Sequence, residues 1–246
     1  MSAARGKDGD ELVEIARRMS ADLSRLEFGL PVTHVYNPLD YAWKCHREYL
    51  RRYGSGPVAR AVFIGMNPGP WGMAQTGVPF GEIGLVSEWL GIRCAVGRPV
   101  SEHPKRLVEG FSCHRSEVSG SRLSGWARDQ FKTPEEFFER FFVANYCPLM
   151  FLEESGRNRT PDRLPVGERT PMLRICDEAL RQTIAAIQPD WVIGVGRFAT
   201  DRATEALAGV EVQIGQILHP SPASPAANRD WQGQAVAQLT ALGVPL

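Results

Sequence analysis

Hydrophobic residues follow two spacings along the chain, and each spacing predicts one type of element. Apolar side chains recur every three or four positions over residues 10–28, which is typical of an amphipathic helix. Short uninterrupted apolar runs are instead typical of buried strands. Four strands are predicted, at 58–66, 141–146, 191–195 and 210–218. Further helices are predicted at about 40–52 and 82–91, from the Thr133 cap onward, and at 170–188, 198–207 and 230–242.

The order of these elements predicts the fold class. Strands that alternate with helices form a parallel sheet covered on both faces. We therefore expect an α/β fold, a three-layer α/β/α sandwich around a central four-stranded parallel sheet. The pattern contains neither an internal repeat nor a second hydrophobic core, so residues 1–246 are predicted to form one domain, with residues 1–9 flexible. Ligands of such sheets bind beyond the carboxyl ends of the strands, which makes the segments after the four strands the candidate site.

Composition excludes several classes of protein. With 246 residues, 43% of them hydrophobic and 23% charged, the chain has the balance of a globular protein and not of a disordered one. Its longest apolar runs fall far short of the ~20 residues that cross a bilayer. Residues 1–10 lack the apolar centre of a signal peptide. We therefore expect a cytoplasmic protein with no membrane partner, associated with the nucleoid if its source is bacterial.

The cysteines and histidines predict no metal centre. The five cysteines are odd in number and contain no C-x-x-C pair, which favours reduced thiols over disulfides or an iron–sulfur cluster. Two cysteines and two histidines could meet at a zinc ion, but their spacing matches no standard finger. These residues are Cys94, His103, Cys113 and His114.

Charge is balanced over the chain as a whole but uneven along it. The net charge is zero, and only four of the 28 cationic residues are lysines, which leaves 28 − 4 = 24 arginines. Arginine binds phosphate better than lysine does, although a GC-rich genome also favours arginine. Residues 93–132 hold eight cations against four anions, and residues 157–174 hold five arginines against two anions. Both stretches are predicted to be long basic loops, which are often functional.

The first strand end carries the most unusual segment, residues 65–81. It contains five glycines and three prolines, which let the backbone approach a ligand and fix the shape of a loop. It lacks the G-K-[ST] of a nucleotide-binding P-loop. No carboxylate lies between Ile64 and Glu82, so we expect no strong general base here.

The other strand ends offer an amide, a glycine pair and a histidine. Asn145 precedes Cys-Pro-Leu, and an asparagine offers both an acceptor and donors. Gly194-Val195-Gly196 fits a dinucleotide fingerprint, but its strand is the third and the expected acidic residue is not at the end of the next strand. A tight turn is the simpler interpretation. His219 precedes three prolines in six residues, which hold it at the sheet edge.

Together these segments closely resemble the single-strand-selective monofunctional uracil-DNA glycosylases. The resemblance is carried by Gly65-Met-Asn-Pro-Gly-Pro70, Met73-Ala-Gln-Thr-Gly-Val-Pro-Phe80-Gly, Asn145 before Cys-Pro-Leu, and His219-Pro-Ser-Pro. Cys113 and Ser116-Glu-Val-Ser-Gly120 are similar to the central loop of that family. The resemblance extends from about Pro38 to Trp231. The family fold, a four-stranded parallel sheet between helices, agrees with the element pattern.

The resemblance implies hydrolysis of the N-glycosidic bond of uracil flipped out of DNA. Phe80 would stack on the base, and Asn145 would donate to O4 and accept from N3–H. His219 would donate to O2 as uracil leaves as an anion, and Asn67 would position the attacking water. No lysine lies in the four strand-end segments, so no Schiff base forms and the abasic site stays uncut.

The resemblance also implies the substrate range. Gly69 lies where other uracil glycosylases use a bulky side chain to exclude the thymine methyl, which implies room at C5 and therefore 5-hydroxymethyluracil as a second substrate. Met66 and Met73 would line the pocket. No metal or organic cofactor is implied.

Two departures from the family pattern affect the expected DNA contacts. Trp71 replaces a common phenylalanine, which is a mild change. Ala223-Ser224 replaces an Arg-Asn pair whose arginine fills the gap left by the flipped base, and alanine cannot do so. Wedge action must then come from Pro222, Ser224 or another loop, or be weaker. Candidate phosphate contacts are Ser221, Arg115 and Arg122.

Three alternatives stay open at this point. The first is a glycosylase that prefers deaminated purines such as xanthine and hypoxanthine. The second is a non-catalytic protein that binds DNA lesions, and the third is a dinucleotide-dependent oxidoreductase. The expected partner is DNA with uracil or with oxidised or deaminated bases. No obligatory protein partner is expected, and the chain is predicted to be a monomer.

Overall fold

The computed structural model describes residues 6–57 and 59–246. Its strands are β1 (Gly6–Lys7), β2 (Val32–Tyr36), β3 (Gly56–Pro57), β4 (Ala61–Gly65), β5 (Phe141–Asn145), β6 (Met150–Glu153), β7 (Asn158–Arg159), β8 (Trp191–Val195) and β9 (Gln213–Ile217). Its α-helices are α1 (Gly9–Leu23), α2 (Pro38–Tyr41), α3 (Trp43–Tyr53), α4 (Met73–Thr76), α5 (Val118–Gln130), α6 (Pro134–Arg140), α7 (Val166–Ile187), α8 (Arg197–Ala206) and α9 (Pro225–Leu242).

The central sheet has four parallel strands in the order β5-β4-β8-β9. This order puts β4 and β8 in the middle, and all five positions of β4 are buried. Parallel strands covered on both faces have to be apolar throughout, which explains the uninterrupted run of β4. The register aligns Gly65 with Asn145 and Val195 with Ile217, so these strands end at one edge. The predicted α/β/α fold is confirmed.

A second sheet was not predicted from the sequence. It is antiparallel, in the order β2-β6-β7, and its residues Tyr36, Phe151 and Leu152 are completely buried. These strands are short and lie where the sequence indicated only connections. β7 falls at the start of the second predicted basic loop and therefore shortens it.

The first basic stretch is only partly a loop, so the prediction for 93–132 was wrong over its last third. Helix α5 occupies Val118–Gln130 and buries Leu123, Trp126 and Ala127. These apolar positions have helical spacing, but glycines and serines around them weaken the signal. Burial of Trp126 against Phe63, Phe131 and Phe137 outweighs the low helix propensity.

Two other helices begin earlier than predicted. Helix α7 begins at Val166 and not at residue 170, with Pro171 inside it. A proline near the start of a helix removes few backbone hydrogen bonds, so the helix tolerates it. Helix α9 begins at Pro225, five residues before the predicted start, and includes a kink at Asp230.

The amino-terminal segment is only partly described. Residues 1–5, which fall in the segment expected to be flexible, lie outside the described residues. Gly6–Lys7 pairs with Gly56–Pro57, and Asp8 caps α1 by accepting from the amides of Asp10 and Glu11. Within the described residues, no helix combines the length and the apolar character that crossing a membrane requires.

Candidate active site

A cavity of about 380 Å³ opens at the carboxyl edge of the central sheet. Residues from five separate stretches of the chain line it, because β4, β5 and β9 end at this edge and the start of α5 and the segment around β7 lie beside it. The lining residues are Met66, Asn67, Pro68, Gly69, Pro70, Met73, Phe80, Glu117, Ser119, Gly120, Asn145, Asn158, Thr160, His219, Ser221 and Pro222. The structure therefore brings together all seven residues predicted for catalysis and base binding.

Asn67 follows β4 and presents its amide oxygen to the cavity with no protein partner among the described residues. Its Nδ2 donates to the carbonyl of Leu149 at 3.2 Å, which fixes the amide plane. An amide held by its nitrogen leaves its oxygen as an acceptor for a ligand or a water molecule. This arrangement suits a residue that positions a ligand or a water molecule and that does not itself ionise.

Buried Gln75 stabilises the loop that follows Asn67. Its Nε2 donates to the carbonyls of Pro70 and Leu107, each at 3.0 Å. Its Oε1 accepts from the amides of Glu109 at 2.8 Å and Gly110 at 3.0 Å. The side-chain amide of Gln75 therefore makes four hydrogen bonds, all of them to backbone groups. The four bonds join the loop at the cavity to the basic segment near Leu107.

Phe80 has a backbone conformation that is rare for a side chain of its size. Its φ is +51°, in the left-handed region, where a bulky residue is strained by about 1–3 kcal/mol. Ser124 Oγ donates to the Phe80 carbonyl at 3.0 Å and helps to hold the turn. The ring is 9% exposed, and its centroid lies 6.5 Å from that of His219. One edge of the cavity is thus an aromatic face.

Asn145 and Phe80 approach each other closely across β4. A Cβ on Gly65 would overlap Asn145 Oδ1 and would lie 2.5 Å from the ring of Phe80. Asn145 Nδ2 donates to the sulfur of Met73 at 3.1 Å, a weak contact that still orients the amide. The amide is therefore presented next to the aromatic face in a defined orientation.

His219 lies just beyond the end of β9 and is half-buried, with no protein hydrogen bond to its ring among the described residues. Burial lowers its pKa, so the imidazole is neutral at neutral pH. Trp231 Nε1 donates to the Leu218 carbonyl at 2.7 Å, and Gln238 Oε1 accepts from the Leu218 amide at 2.8 Å. The backbone before His219 is fixed, while the ring keeps its N–H for a ligand.

The glycine pair after β8 has a packing explanation. Gly196 has a φ of +87°, and a Cβ there would lie 3.0 Å from the Cβ of His219. A Cβ on Gly194 would overlap Thr200 on α8. The motif that fits a dinucleotide fingerprint therefore allows close packing of α8 and of His219, in agreement with the tight-turn interpretation.

Glu117 is a cavity residue that the sequence analysis did not select. Its carboxylate accepts from the Trp71 amide at 3.1 Å and occupies the space above Gly69, where a Cβ would overlap it. Burial raises the pKa of this carboxyl group, and the Trp71 amide lowers it by a smaller amount. The segment 65–81 lacks a carboxylate, but Glu117, the residue before α5, supplies one. The resemblance implied room at C5 beside Gly69, and this carboxylate borders that space.

Asn158 and Thr160 are further lining residues without a signal in the sequence. Asn158 lies on β7, which was not predicted, and Thr160 follows that strand directly. Asn158 Nδ2 donates to the Pro68 carbonyl at 2.9 Å, so this strand supports the loop that carries Asn67.

The predicted DNA-binding residues divide into three groups. Ser221 and Pro222 line the mouth of the cavity. Arg122 donates to the carbonyls of Pro220 and Ser221, both at 3.3 Å, and to Asn228 Oδ1 at 2.8 Å, so it supports this loop. Ser224 caps α9 by accepting from the Ala227 amide at 3.3 Å and does not line the cavity. Arg115 lies outside the cavity, on the ring of Trp71.

No group of three His, Cys, Asp or Glu side chains in the described parts of the chain is placed to hold a metal ion. The polar side chains that line the cavity are three amides, three hydroxyl groups, one imidazole and one carboxylate, beside the aromatic face of Phe80.

Comparisons with known proteins agree with this geometry. The sequence model of the Uracil DNA glycosylase superfamily matches residues 52–240. A single-strand selective monofunctional uracil-DNA glycosylase of Rattus norvegicus is 52% identical over 229 residues, which are 92% of this chain and 82% of the rat protein. Proteins with the same description from Mus musculus and Bos taurus are 51% and 49% identical over 92% of this chain and over 82% and 84% of their own lengths.

A solved structure shares the fold at much lower sequence identity. The crystal structure of SMUG2 from Pedobacter heparinus superimposes with a TM-score of 0.63 at 17% identity, over 93% of this chain and 98% of that one. The resemblance of the sequence motifs to one family is confirmed by the relatives of about 50% identity. The chain belongs to the uracil DNA glycosylase superfamily and, within it, to the single-strand selective monofunctional uracil-DNA glycosylases.

Proposed function

We propose that this chain is a DNA base-excision repair enzyme that hydrolyses the N-glycosidic bond of uracil flipped out of DNA. One observation carries the proposal: Asn67, Phe80, Asn145 and His219, which are far apart in sequence, line one cavity at the sheet edge. Membership of the family named above supports it. The product is an intact abasic site, because none of the described residues that line the cavity is a lysine.

Recognition of uracil rests on Phe80 and Asn145. The base stacks on the Phe80 ring, and stacking contributes about 1–3 kcal/mol per base. Asn145 donates to O4 and accepts from N3–H. Cytosine has the reverse pattern of donors and acceptors, so an amide held in this orientation is mispaired on both atoms.

Bond cleavage rests on His219 and Asn67. As the bond between N1 and C1′ breaks, its electrons move to uracil and positive charge develops on the sugar. Neutral His219 donates to O2 and stabilises the uracil anion, an effect of about 3–4 kcal/mol for one well-placed donor. The oxygen of Asn67 accepts from the water that bonds to C1′. That water releases a proton to solvent, and the uracil anion takes one up as it leaves.

Glu117 determines which substituents are accepted at C5. In this binding mode C5 faces Gly69, where the carboxylate stands. A methyl group would remove water from a carboxylate without a compensating hydrogen bond, which is unfavourable. A 5-hydroxymethyl group can donate to it. We therefore propose 5-hydroxymethyluracil as a second substrate and exclusion of thymine by desolvation of the carboxylate as well as by its bulk.

The experiment is release of the base from labelled DNA that contains one uracil, followed by alkali to cut abasic sites. Wild-type protein should cut only after alkali, and both His219→Ala and Asn67→Ala should bind DNA while releasing little uracil. Binding without release by the wild type would identify a lesion-binding protein. Cutting without alkali would contradict the monofunctional mechanism. Parallel substrates with xanthine or hypoxanthine test the purine alternative.

Two further proposals concern the molecule as a whole. All four reacting and base-binding side chains come from one chain, so we propose that it acts as a monomer without an obligatory protein partner. Sedimentation with and without DNA tests this. We also propose that it needs no added metal or organic cofactor, which release of uracil in the presence of a chelator tests.

A further inference from the structure

A second concavity, of about 420 Å³, lies beside the active-site cavity. Its lining residues are Trp71, Pro104, Lys105, Arg106, Leu107, Glu109 and Arg115. The two cavities share a wall, because Pro70 lines one and Trp71 lines the other. Three cations face one carboxylate here, and the side chain of Leu107 is exposed.

Two guanidinium groups are held on the Trp71 ring. The Cζ atom of Arg115 lies 4.4 Å from the ring centroid, and that of Arg106 lies 5.3 Å from it. Both distances are within the range of cation–π attraction. The aromatic ring thereby brings two positive charges to one place, where they would repel each other without a counterion.

These guanidinium groups also have unused donors. Arg106 Nη1 donates to the neighbouring Lys105 carbonyl at 2.8 Å, while its buried Nε has no partner. Among the described residues, no carboxylate pairs with Arg106 or Arg115. By contrast, Arg159 pairs with Glu153 at 2.9 Å. An arginine has five N–H donors, so most of those on Arg106 and Arg115 are available to a ligand.

The site is rigid and fixed to the active-site loop. Gln75 joins the Pro70 carbonyl to the Leu107 carbonyl, and Tyr36 Oη donates to the Arg106 carbonyl at 2.8 Å. The backbone that carries Arg106 is therefore fixed relative to the active-site loop, and Arg115 lies beside it on the Trp71 ring. A site that is preorganised loses little entropy when it binds.

We propose that Trp71, Arg106 and Arg115 bind a backbone phosphate of single-stranded DNA, next to the nucleotide that enters the active site. Paired guanidinium donors match the geometry of a phosphodiester. The exposed side chain of Leu107 provides an apolar surface for an unpaired base beside it. The proposal rests on the proposed function, since it requires a DNA strand in the neighbouring cavity.

The test measures binding of a short fluorescent single strand with one uridine whose 2′-fluorine slows loss of the base. Each phosphate along the strand is replaced in turn by a neutral methylphosphonate. For wild-type protein, one replacement beside the uridine should weaken binding about tenfold, as expected for a charged hydrogen bond. In R106Q/R115Q the same replacement should weaken binding less than about twofold. The double substitution has already removed the interaction between the arginines and the phosphate that the methylphosphonate disrupts.

Salt dependence gives an independent measurement. The slope of log Kd against log salt should be smaller in R106Q/R115Q by about 0.7 for the one phosphate lost. Trp71→Ala should act in the same direction, while Trp71→Phe keeps an aromatic surface and should lose less. The matched control is Arg181→Gln, an exposed arginine on α7 that pairs with Glu178. It should leave both measurements unchanged.

Three outcomes would overturn the proposal: no phosphate position coupled to Arg106 and Arg115, equal effects in Arg181→Gln, or displacement of the strand by millimolar inorganic phosphate. The last result would show that the site takes a lone anion. Uracil release by the wild type is measured in parallel. If the protein releases uracil but no phosphate replacement depends on Arg106 and Arg115, only this DNA site is rejected. If a phosphate replacement depends on the two arginines but the protein releases no uracil, the proposed function is rejected and the DNA site is retained.

Discussion

Two histidines away from the protein surface occupy contrasting surroundings. His46 on α3 is 6% exposed, and its Nδ1 donates to the Gly77 carbonyl at 2.8 Å. His219 is half-buried, its ring has no protein hydrogen bond among the described residues, and it lines a cavity of about 380 Å³. Burial lowers the pKa of both, that of His46 to about 4.

The difference between them shows what marks a functional histidine. A lowered pKa is common to both and therefore does not separate structure from function. His46 lines a largely apolar cavity of about 60 Å³, with its donor used. The ring N–H of His219 is available to a ligand. Burial together with an unused donor at a cavity is the informative combination.

The largest expected effect is on catalysis by His219. His219→Ala removes the donor to O2, and the rate of uracil release in single turnover should fall by about 10²–10³-fold. His34→Ala, on β2, is the control and should release uracil at the wild-type rate. A loss of less than threefold in His219→Ala would mean that the unused donor has no part in the reaction.

The second effect is on stability through His46. His46→Ala leaves a cavity and an unpaired Gly77 carbonyl, so the free energy of unfolding should fall by about 2–4 kcal/mol. Urea denaturation measures it. Uracil release well below the unfolding transition should change far less than in His219→Ala. The reverse pattern, a stable but inactive His46→Ala, would erase the distinction between the two histidines.

The dependence of the unfolding free energy on pH should report on His46 in the wild-type protein, without a substitution in the core. The folded-state pKa of His46 is about 4 and the ordinary value is 6.5. Between these values the unfolded chain takes up a proton that the folded chain does not, so stability falls as the pH falls from 6.5 to 4. At about 1.36 kcal/mol per unit of pKa, the loss approaches about 3 kcal/mol. His46→Gln cannot titrate, and its unfolding free energy should vary less over this window.

The smallest effect concerns the carboxylate that shares the cavity with His219. Glu117→Gln keeps the shape of the side chain but removes the charge. The rate for 5-hydroxymethyluracil relative to uracil should fall by about 3–10-fold, because a charge-assisted hydrogen bond becomes a neutral one. Glu109→Gln, on the neighbouring loop, is the control. An unchanged ratio in Glu117→Gln would show that this carboxylate does not contact the C5 substituent.

The site residues that follow strands could be predicted from the sequence, and the site residues that other segments contribute could not. β4 and β5 consist largely of apolar residues and β9 has isoleucines between glutamines, and parallel strands end at one edge, so Asn67, Asn145 and His219 could be expected to meet. Glu117 reaches Gly69 from a stretch that was interpreted as a loop. The glycines and serines of α5 conceal a helix whose stability comes from burial of Trp126. Local patterns do not carry such tertiary contacts.

The arginines show the same limit of prediction from sequence. Composition and the family resemblance indicated Arg115 and Arg122 as equal candidates for phosphate. The structure separates them, because Arg122 is bonded to Pro220, Ser221 and Asn228 while Arg115 lies on Trp71. No sequence spacing distinguishes a guanidinium that supports a loop from one whose donors are unused.

The left-handed turn at Phe80 places two opposing demands on one residue. A glycine there would adopt a φ of +51° without strain, but it would remove a side chain that is 9% exposed and packs in the core. Loss of a buried aromatic side chain costs about 3–5 kcal/mol, which is more than the strain of about 1–3 kcal/mol in the backbone. The strained turn therefore persists because the packing of the ring outweighs it.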